Sequence, residues 1–371
     1  MNNKISLTVY TTSHMVVDFS CFYVLMGMFS NTVKDLITIS LGFLIYNIIA
    51  FGIQMFIGYF VDKHSIQHSK VAIIGCFIVL LGLLLAFSSL NLTPWMALVF
   101  CAFGNASFHI GGGINSLVYA DGKMARGGIF VSSGAIGVAL GTLAGKSLLP
   151  FWLPEIMLLA CSLAIYVLCR SERGNYLHYN YDTTPKTGSF NRCISDKIII
   201  YLCLISIIVR SFVGFEIPIT WKTTTFLFIL PSLCAFGGKF AGGILADKFG
   251  AKNVGVSSLL ISIPFLCFFN NNIILCVVGL VLFNITMSIT LWGVAMQLPN
   301  QLGFAFGLTT LALLVGNMPT FFFKLPEMLI SIVLPIFIII SAICILYAIE
   351  NKKRRGYYVK EIHDLSKKLS L

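Results

Sequence analysis

The chain has 371 residues, of which 57% are hydrophobic and only 11% charged, and its mean hydropathy is +0.91. Soluble domains carry about 25% charged residues, so this composition excludes a soluble enzyme, a disordered chain and a nucleic-acid-binding domain. The net charge of +11 is expected to report membrane topology, because Lys and Arg gather in cytoplasmic loops. A hydrocarbon core of roughly 30 Å needs about 20 apolar residues per helix, so the length suits a compact protein that crosses a membrane many times.

Polar residues and Gly or Pro breaks divide the apolar sequence into twelve stretches long enough for transmembrane helices. We place these helices at residues 6–29, 36–61, 70–90, 94–117, 127–150, 153–170, 197–217, 223–246, 253–269, 272–297, 303–324 and 327–349. The runs are continuous rather than alternating, which argues against strands and predicts an all-α membrane protein. The first run is too long for a signal peptide and no cleavage site follows it, so we expect it to remain as helix 1.

The distribution of basic residues predicts how the chain lies in the membrane. Of the 25 Lys and Arg residues, 19 fall in the N-terminus, the even-numbered loops and the C-terminal tail, whereas only 4 fall in the odd-numbered loops. This asymmetry predicts that both termini are cytoplasmic. The composition suits a multi-pass protein of a bacterial inner (plasma) membrane.

The longest polar stretch divides the chain into two pseudo-symmetric halves of six helices. We predict an N-terminal half at 1–170, a cytoplasmic linker at 171–196, a C-terminal half at 197–350 and a basic cytoplasmic tail at 351–371. The tail begins with a run of basic residues and is expected to contact anionic lipid headgroups. Nothing in the pattern indicates an oligomer, so we expect a monomer.

A repeated motif supports two related halves. Helix 2 ends with GYFVDK at residues 58–63, and helix 8 ends with GILADKFGAK at residues 243–252. Asp62 and Asp247 are 185 positions apart, half of the chain. We expect the glycines to permit close helix approach and the aspartates to accept hydrogen bonds from a neighbouring helix N-terminus, with a solvated helix end as the alternative.

Such contacts must break when the halves rock apart, so both motifs are predicted to form a conformational gate. Its residues are Gly58, Asp62, Lys63, Gly243, Asp247, Lys248, Gly250 and Lys252.

This duplication, with a GxxxD[KR] signature at the end of the second helix of each half, resembles the major facilitator superfamily. The C-terminal copy matches the family's loop motif closely, whereas the N-terminal copy has His64-Ser65 where the motif has its second glycine. The resemblance implies a twelve-helix fold in which helices 1, 4, 7 and 10 line a central cavity.

Most ionisable residues at membrane depth lie on those four helices. Such side chains usually face a cavity or a partner, because exposure to lipid costs several kcal/mol. The candidates for a substrate cavity are Tyr10, Asn105, His109, Ser206, Arg210, Asn284, Ser288, Trp292 and Gln297. For His109 an interhelical hydrogen bond is the alternative, and for Tyr10 and Trp292 it is plain packing. Lys239 of helix 8 is assigned no role, because its long stem can snorkel toward the cytoplasm, and Glu216 is expected to lie at a solvated helix end.

His14 and Asp18 lie one turn apart on one face of helix 1. We predict that Asp18 couples proton flow to transport, with His14 tuning or sharing its proton. A structural ion pair between Asp18 and Arg210 across the halves is the alternative. Proton coupling and the ion pair are compatible if protonation of Asp18 breaks that pair.

Three passages resemble the bacterial fosmidomycin-resistance proteins: the His-x-x-x-Asp of residues 14–18, GNASFH at 104–109 and AMQLPNQLGFAFGL at 295–308. The resemblance implies an exporter that exchanges drug for protons, with His14, Asp18, His109 and Gln297 in the cavity or in coupling. This chain has Ile110 and three glycines where the family has a proline after its helix 4 histidine. The glycine strip of helix 5 has the glycines of the antiporter motif without its proline, and it favours export.

The sequence holds no GxxxxGK[ST] pattern, so transport is expected to draw on a gradient rather than on ATP. It has no CxxC pair and no Cys/His cluster with metal-ligand spacing, so we expect no metal, no cofactor and no enzymatic reaction.

The prediction is therefore a secondary active transporter that moves a small amphipathic or anionic solute by alternating access, as proton-coupled export. Uptake of a small metabolite by symport or uniport is the main alternative, and a membrane-embedded enzyme or sensor is the third. The expected partners are the small-molecule substrate, protons and membrane lipid, and no nucleic acid.

Overall fold

The computed structural model of the chain describes residues 3–87, 93–120, 122–147, 149–169, 189–190 and 195–350. Within these ranges, 10 helices are long and apolar enough to cross a bilayer, and two further apolar helices, Trp152–Leu168 and Ala251–Cys267, are shorter. Together they occupy the twelve predicted positions, so the all-α fold of a multi-pass membrane protein is confirmed. The tail at 351–371 and most of the predicted linker at 171–196 lie outside the described residues.

The first six helices are numbered α1 to α6. Helix α1 runs Asn3–Tyr23 and continues through a π-helical segment, Val24–Phe29, into a last turn, Ser30–Val33. Helix α2 runs Leu36–Asn47, passes through a π-helical segment, Ile48–Gly52, and resumes at Gln54–Lys63. The others are α3 His68–Ala86, α4 Thr93–Tyr119, α5 Met124–Lys146 and α6 Trp152–Leu168.

The last six helices are numbered α7 to α12. They are α7 Asp196–Glu216, α8 Thr225–Phe249, α9 Ala251–Cys267, α10 Ile273–Asn284 and Thr286–Gln297, α11 Leu302–Asn317 with a 3₁₀ turn Met318–Phe321, and α12 Glu327–Ala348. Strand β1, Ser189–Phe190, pairs antiparallel with β2, Ile349–Glu350, so that Ser189 lies opposite Glu350. This two-residue pairing is too short to alter the all-α class.

Local chemistry sets where α1 ends and α2 begins. Lys34 has φ 61°, a left-handed backbone that ends α1 after Val33 rather than at the predicted residue 29. The Asp35 carboxylate caps α2, accepting hydrogen bonds from Thr38 N at 2.8 Å and Thr38 Oγ1 at 2.6 Å. These bonds stabilise the charged form and lower the pKa of Asp35 below its ordinary value.

The helices pack mainly within two groups of six. In the first group α1 contacts α4, α5 and α6; in the second α7 contacts α10, α11 and α12. The two largest contacts between the groups pair α5 with α8 and α2 with α11. Helices 2 and 8, and likewise 5 and 11, are equivalent under a six-helix repeat, so these two contacts are symmetric copies of each other.

Small residues bring α1 and α5 together. The contacts are Gly137 against the carbonyl oxygen of Met15, Gly141 against that of Phe19, and Gly145 against the backbone of Gly27. Between helices in lipid there is no hydrophobic driving force, so close backbone approach supplies the attraction through van der Waals packing.

Replacing Gly141 by alanine is expected to destabilise the protein, because the new Cβ would overlap the Phe19 carbonyl oxygen, a backbone atom that cannot move alone. Overpacking of this kind costs about 1–3 kcal/mol. The matched control is Gly237→Ala in α8, where the nearest atom, Val281 Cγ2, lies at an ordinary 3.9 Å. Thermal unfolding of the purified protein in detergent measures the difference, and equal midpoints for the two variants would contradict this packing.

Candidate functional site

The two groups of helices enclose a cavity of about 550 Å³, a volume typical of small-molecule sites. Helices α1, α4, α7 and α10 line it, as predicted, and so do α2, α5, α8 and α11. Apolar side chains form most of the walls, among them the rings of Phe22, Phe51, Phe283 and Phe306.

The two ends of the bundle differ. The lining residues include Lys222, in the connection between α7 and α8, but neither Asp62 nor Asp247 at the other end. We call these the Lys222 end and the aspartate end. The cavity therefore extends toward the Lys222 end.

Six of the residues singled out from the sequence line this cavity: His14, Asp18, Asn105, His109, Arg210 and Asn284. The other five predicted cavity residues lie outside it in this conformation: Tyr10, Ser206, Ser288, Trp292 and Gln297. The predicted cavity set needs this correction.

Tyr10 and Trp292 are buried among packed helices, with 0% and 2% of their surfaces exposed. The reason is helical drift. A step of four residues exceeds one turn of 3.6 residues by about 40°, so two steps rotate a side chain by about 80°. Tyr10 lies two such steps before Asp18, and Trp292 lies two such steps after Asn284.

The remaining three residues make contacts with helices rather than with the cavity. Ser206 shares a hydrogen bond of 2.8 Å with the hydroxyl of Ser341, which joins α7 to α12. Ser288 donates to the Lys239 carbonyl oxygen at 2.9 Å, which joins α10 to α8. The Gln297 amide nitrogen lies 3.5 Å from a carbonyl oxygen of its own helix.

Three polar side chains of the first six helices converge at the cavity wall, and we call His14, Asp18 and His109 the triad. The Nε2 atoms of the two histidines are 2.8 Å apart. Asp18 Oδ2 lies 3.3 Å from His14 Nε2, and Asp18 Oδ1 lies 3.9 Å from His109 Nε2. The side chains of the triad are thus close enough to share a single cation.

The hydrogens of the triad can be counted. His14 Nδ1 lies 2.8 Å from the Phe130 carbonyl oxygen, and His109 Nδ1 lies 2.9 Å from the Asn105 carbonyl oxygen. Because a carbonyl oxygen only accepts, these contacts favour the tautomers in which each Nδ1 carries a hydrogen, and the Ser133 hydroxyl also lies 3.2 Å from His14 Nδ1. With neutral rings, both Nε2 atoms are then acceptors and face each other and a carboxylate. One additional proton turns this contact between acceptors into a hydrogen bond.

Neighbouring residues hold the triad in place. Asn105 Nδ2 donates to Asp18 Oδ1 at 2.7 Å, while the carbonyl oxygen of the same residue accepts from His109. Gly134 of α5 faces the triad, and any Cβ there would overlap Asp18 Oδ2 and His14 Nε2. Glycine at this position leaves the space that the triad occupies.

The triad is also a set of side chains of the kind that can hold a metal ion. Two imidazole nitrogens and a carboxylate oxygen lie within 4.8 Å of one another. Sequence spacing gave no sign of this grouping, because His109 is on a different helix from His14 and Asp18.

The opposite wall is basic, and we call Arg210, Lys222 and Lys239 the cationic wall. Arg210 is buried, with 3% of its surface exposed, and its Nη2 donates to Thr290 Oγ1 at 2.9 Å. Lys239, to which the sequence assigned no role, lines the cavity. Among the described residues, no carboxylate lies within salt-bridge distance of these three cations, so the predicted Asp18–Arg210 pair is not formed in this conformation.

Two carboxylates close the aspartate end. Asp62 accepts from the backbone nitrogens of Gly303 at 3.1 Å and Phe304 at 2.8 Å, at the start of α11. Asp247 accepts from those of Met124 at 3.0 Å and Ala125 at 2.9 Å, at the start of α5. A helix N-terminus favours an anion because its amide hydrogens are unpaired and its dipole is positive there.

The turns after both motifs each contain a residue with a positive φ. Gly250 has φ 91°, and Ser65, which holds the corresponding position in the first copy, has φ 49°. The second glycine of the motif is missing in the first copy, but the left-handed turn is kept. Gly58 lies against Gly303 and Gly243 against Met124, so both helix crossings need the absence of a side chain.

The sequence profile of the Major Facilitator Superfamily matches residues 10–320. The chain belongs to this family. The matched range runs from within α1 to the end of α11, so α12 lies beyond it, and it contains the triad, the cationic wall and the two closing carboxylates.

Solved transporter structures have the fold of this facilitator. The crystal structure of a single-residue variant of the E. coli fucose:proton symporter FucP has a TM-score of 0.63 and 14% identity, covering 94% of this chain and 97% of that one. FucP in the outward conformation has a TM-score of 0.64 and 16% identity, covering 94% of this chain and 98% of that one. The human organic anion transporter MFSD10 (TETRAN) has a TM-score of 0.64 and 13% identity, covering 93% of this chain and 98% of that one.

At these identities the likeness shows the fold alone. No curated protein sequence matches this facilitator. The narrower resemblance to the fosmidomycin-resistance proteins stays a prediction.

The facilitator has a separate polar contact near the Lys222 end. The Glu216 carboxylate accepts from the Leu325 backbone nitrogen at 2.8 Å and lies 3.3 Å from Lys324 Nζ. Only 4% of the surface of Glu216 is exposed, so the expectation of a solvated helix end is wrong. The contact ties the end of α7 to the connection between α11 and α12.

The two closing carboxylates can be tested separately by hydrogen exchange. Asp247→Asn is expected to speed exchange at the start of α5, and Asp62→Asn at the start of α11. A hydrogen bond to a charged group contributes about 1.5–3 kcal/mol, which corresponds to at least roughly tenfold faster exchange where opening limits it.

Mass spectrometry of the peptides around residues 124 and 303 reads out the two sites independently. Asp35→Asn is the control, because that carboxylate caps α2 away from both contacts. Unchanged exchange at a variant's own helix start would contradict the role of that carboxylate.

Proposed function

We propose that this facilitator is a secondary active transporter that carries a small amphipathic or anionic solute through the cavity and exports it in exchange for protons. The observation that carries the proposal is the triad, in which two ring nitrogens 2.8 Å apart and a carboxylate face one another, so that one bound proton can be shared among them. The triad lines the cavity, so a proton bound there meets the same compartment as the solute.

The conformation fits one stage of alternating access. The cavity extends to the Lys222 end, while Asp62 and Asp247 close the aspartate end. The excess of basic residues in the even-numbered loops supports a cytoplasmic location for the aspartate end and both termini. On that orientation this conformation faces outward, and the fold likeness to FucP in the outward conformation is in keeping with it.

Proton binding changes the charge of the triad. In the outward-facing state a proton from outside joins His14 and His109, and the Asp18 carboxylate balances its charge. The titratable or charged groups that face Asp18 are His14 and Cys21 on α1, Tyr46 on α2, His109 on α4 and Lys239 on α8. Lys239 is the one ammonium group among them, and it lies on the other group of helices.

Rocking then exposes the cavity to the cytoplasm. The hydrogen bonds of Asp62 and Asp247 must break first, so we propose that these residues, with the glycines and lysines of both motifs, form the gate. The proton leaves to the cytoplasm, the solute binds, and the return step delivers the solute outside.

Symport is the second candidate. The triad and the cationic wall lie on different groups of helices, so a proton and a solute can be bound at the same time. The solved neighbour FucP is a fucose:proton symporter. Uniport would show transport without any proton signal.

We also infer that the protein works as a monomer in the inner membrane, with halves at 1–170 and 197–350. The basic tail at 351–371 would then lie against anionic lipid headgroups, and four adjacent basic residues support that contact.

Asp18→Asn is expected to abolish substrate-dependent proton movement while leaving solute exchange at equal pH largely intact, because the amide holds the Asn105 contact but cannot balance a proton. Proteoliposomes with a pH-sensitive dye inside measure this with fosmidomycin, benzoate and fucose as solutes. Chelator in all buffers excludes a contribution from divalent metal ions. The direction of the proton signal on adding solute outside separates symport from exchange.

Asp35→Asn is the matched control, since it removes a carboxylate outside the cavity. An unchanged proton signal in Asp18→Asn would refute coupling through Asp18. Loss of both the proton signal and the exchange, in a variant with a normal unfolding midpoint, would make Asp18 a structural or solute-binding residue.

A further inference from the structure

The cavity carries more positive charge than its own residues neutralise. Arg210, Lys222 and Lys239 line it, and Asp18 is the only carboxylate among its described lining residues. Apart from the two histidines, the lining cations exceed the lining carboxylate by two.

Asp18 does not relieve this imbalance. Its Oδ1 accepts from Asn105 Nδ2 at 2.7 Å, and its oxygens lie 3.3 and 3.9 Å from the Nε2 atoms of His14 and His109. Lys239 interacts with Asp18 electrostatically, but Lys239 and Arg210 also repel each other. The positive charge of the cationic wall therefore faces the open volume of the cavity.

Arg210 has donors to spare. Its Nη2 bonds Thr290, while its Nε is buried and has no hydrogen-bond partner. Burying a charged donor without an acceptor is costly, so such a group is retained where an acceptor arrives from elsewhere. A guanidinium offers two parallel N–H groups, the geometry that a carboxylate or another planar anion accepts.

The other lining residues limit the size and polarity of a molecule that can bind in the cavity. Aromatic rings from both groups of helices face the volume, and Asn47, Thr310 and Asn317 are among the neutral polar groups that line it. A cavity of about 550 Å³ holds a molecule with a small ring or a short chain. Lys222 is exposed at the mouth, where a positive charge raises the local concentration of anions.

We propose that the cavity binds an organic dianion: a compact apolar or aromatic body with two negatively charged groups, which Arg210 and Lys239 neutralise, while Lys222 attracts it at the mouth. The proposal rests on the proposed function only in taking this bound anion to be the transported solute. Binding itself needs neither a proton gradient nor a conformational cycle.

The test is a charge series on one ring. Isophthalate, benzoate, benzamide and benzylammonium carry charges of about −2, −1, 0 and +1 at neutral pH, and their binding to the purified protein in neutral detergent is measured by calorimetry at fixed pH. We expect isophthalate to bind at least tenfold more tightly than benzoate, and the other two to bind least. Arg210→Gln and Lys239→Gln should each reduce isophthalate affinity at least tenfold and narrow the gap to benzoate.

Two further variants keep the test sharp. Lys146→Gln removes an exposed cation outside the cavity, whose Nζ lies over the Phe228 ring, and should leave isophthalate binding unchanged. Arg210→Lys keeps the charge but not the paired donors and should retain part of the affinity. Unfolding midpoints identify any variant that has lost its fold.

Benzamide binding as tightly as isophthalate, or no isophthalate binding to the wild type, would overturn the proposal. So would folded Arg210→Gln and Lys239→Gln variants with wild-type affinity. Failure of proton coupling is a separate result, because it appears in the Asp18→Asn transport assay and leaves the charge series intact.

Discussion

The close approach of α1 and α5 is the contact on which the candidate site depends. Gly137 and Gly141 let the two backbones touch, and one turn away Gly134 leaves the space that Asp18 and His14 occupy. The same approach brings the Phe130 carbonyl oxygen to His14 Nδ1, which fixes the ring so that its other nitrogen faces His109. Without this row of glycines neither the packing nor the orientation of the triad is possible.

The two groups of helices present opposite chemistry to the cavity. The first supplies two histidine rings and a carboxylate that face one another, and the second supplies three cations with no carboxylate within salt-bridge distance among the described residues. In a low-dielectric interior such groups cost free energy unless something binds them. A cavity between two rigid groups can leave them unpaired in the free protein, because water enters where a packed core would exclude it. In the proposed mechanism a proton binds at the triad and an anion at the cationic wall, so the two do not compete for one site.

The fold was predictable from the sequence because bilayer thickness fixes the length of apolar runs, and the repeated Asp62 and Asp247 revealed the duplication. The pairing of His14 with Asp18 also follows from helical spacing alone. What the sequence does not contain is the rotation of one helix against another. For that reason it missed the convergence of His109 from α4, the inward direction of Lys239 and the contribution of Phe51 from α2.

The same limit explains the residues that were placed wrongly. Tyr10 and Trp292 share a stripe with cavity residues only if the helical repeat is taken as four rather than 3.6 residues per turn. Glu216 was expected in solvent because it is near a helix end, yet the backbone of a distant connection covers it. Both errors concern which neighbour a side chain meets, and packing between helices decides that.

Helix α5 takes part in two contacts that have so far been described apart. Its first amides bind Asp247 of the other group of helices, and its Phe130 carbonyl oxygen binds His14 of its own group. Residues 124 and 130 are less than two turns apart on one stiff helix. In the proposed mechanism, a change of charge at the triad that alters the bond to Phe130 acts on the same helix whose first amides bind Asp247. On this proposal no long chain of contacts is needed between the triad and the Asp247 contact, because α5 takes part in both.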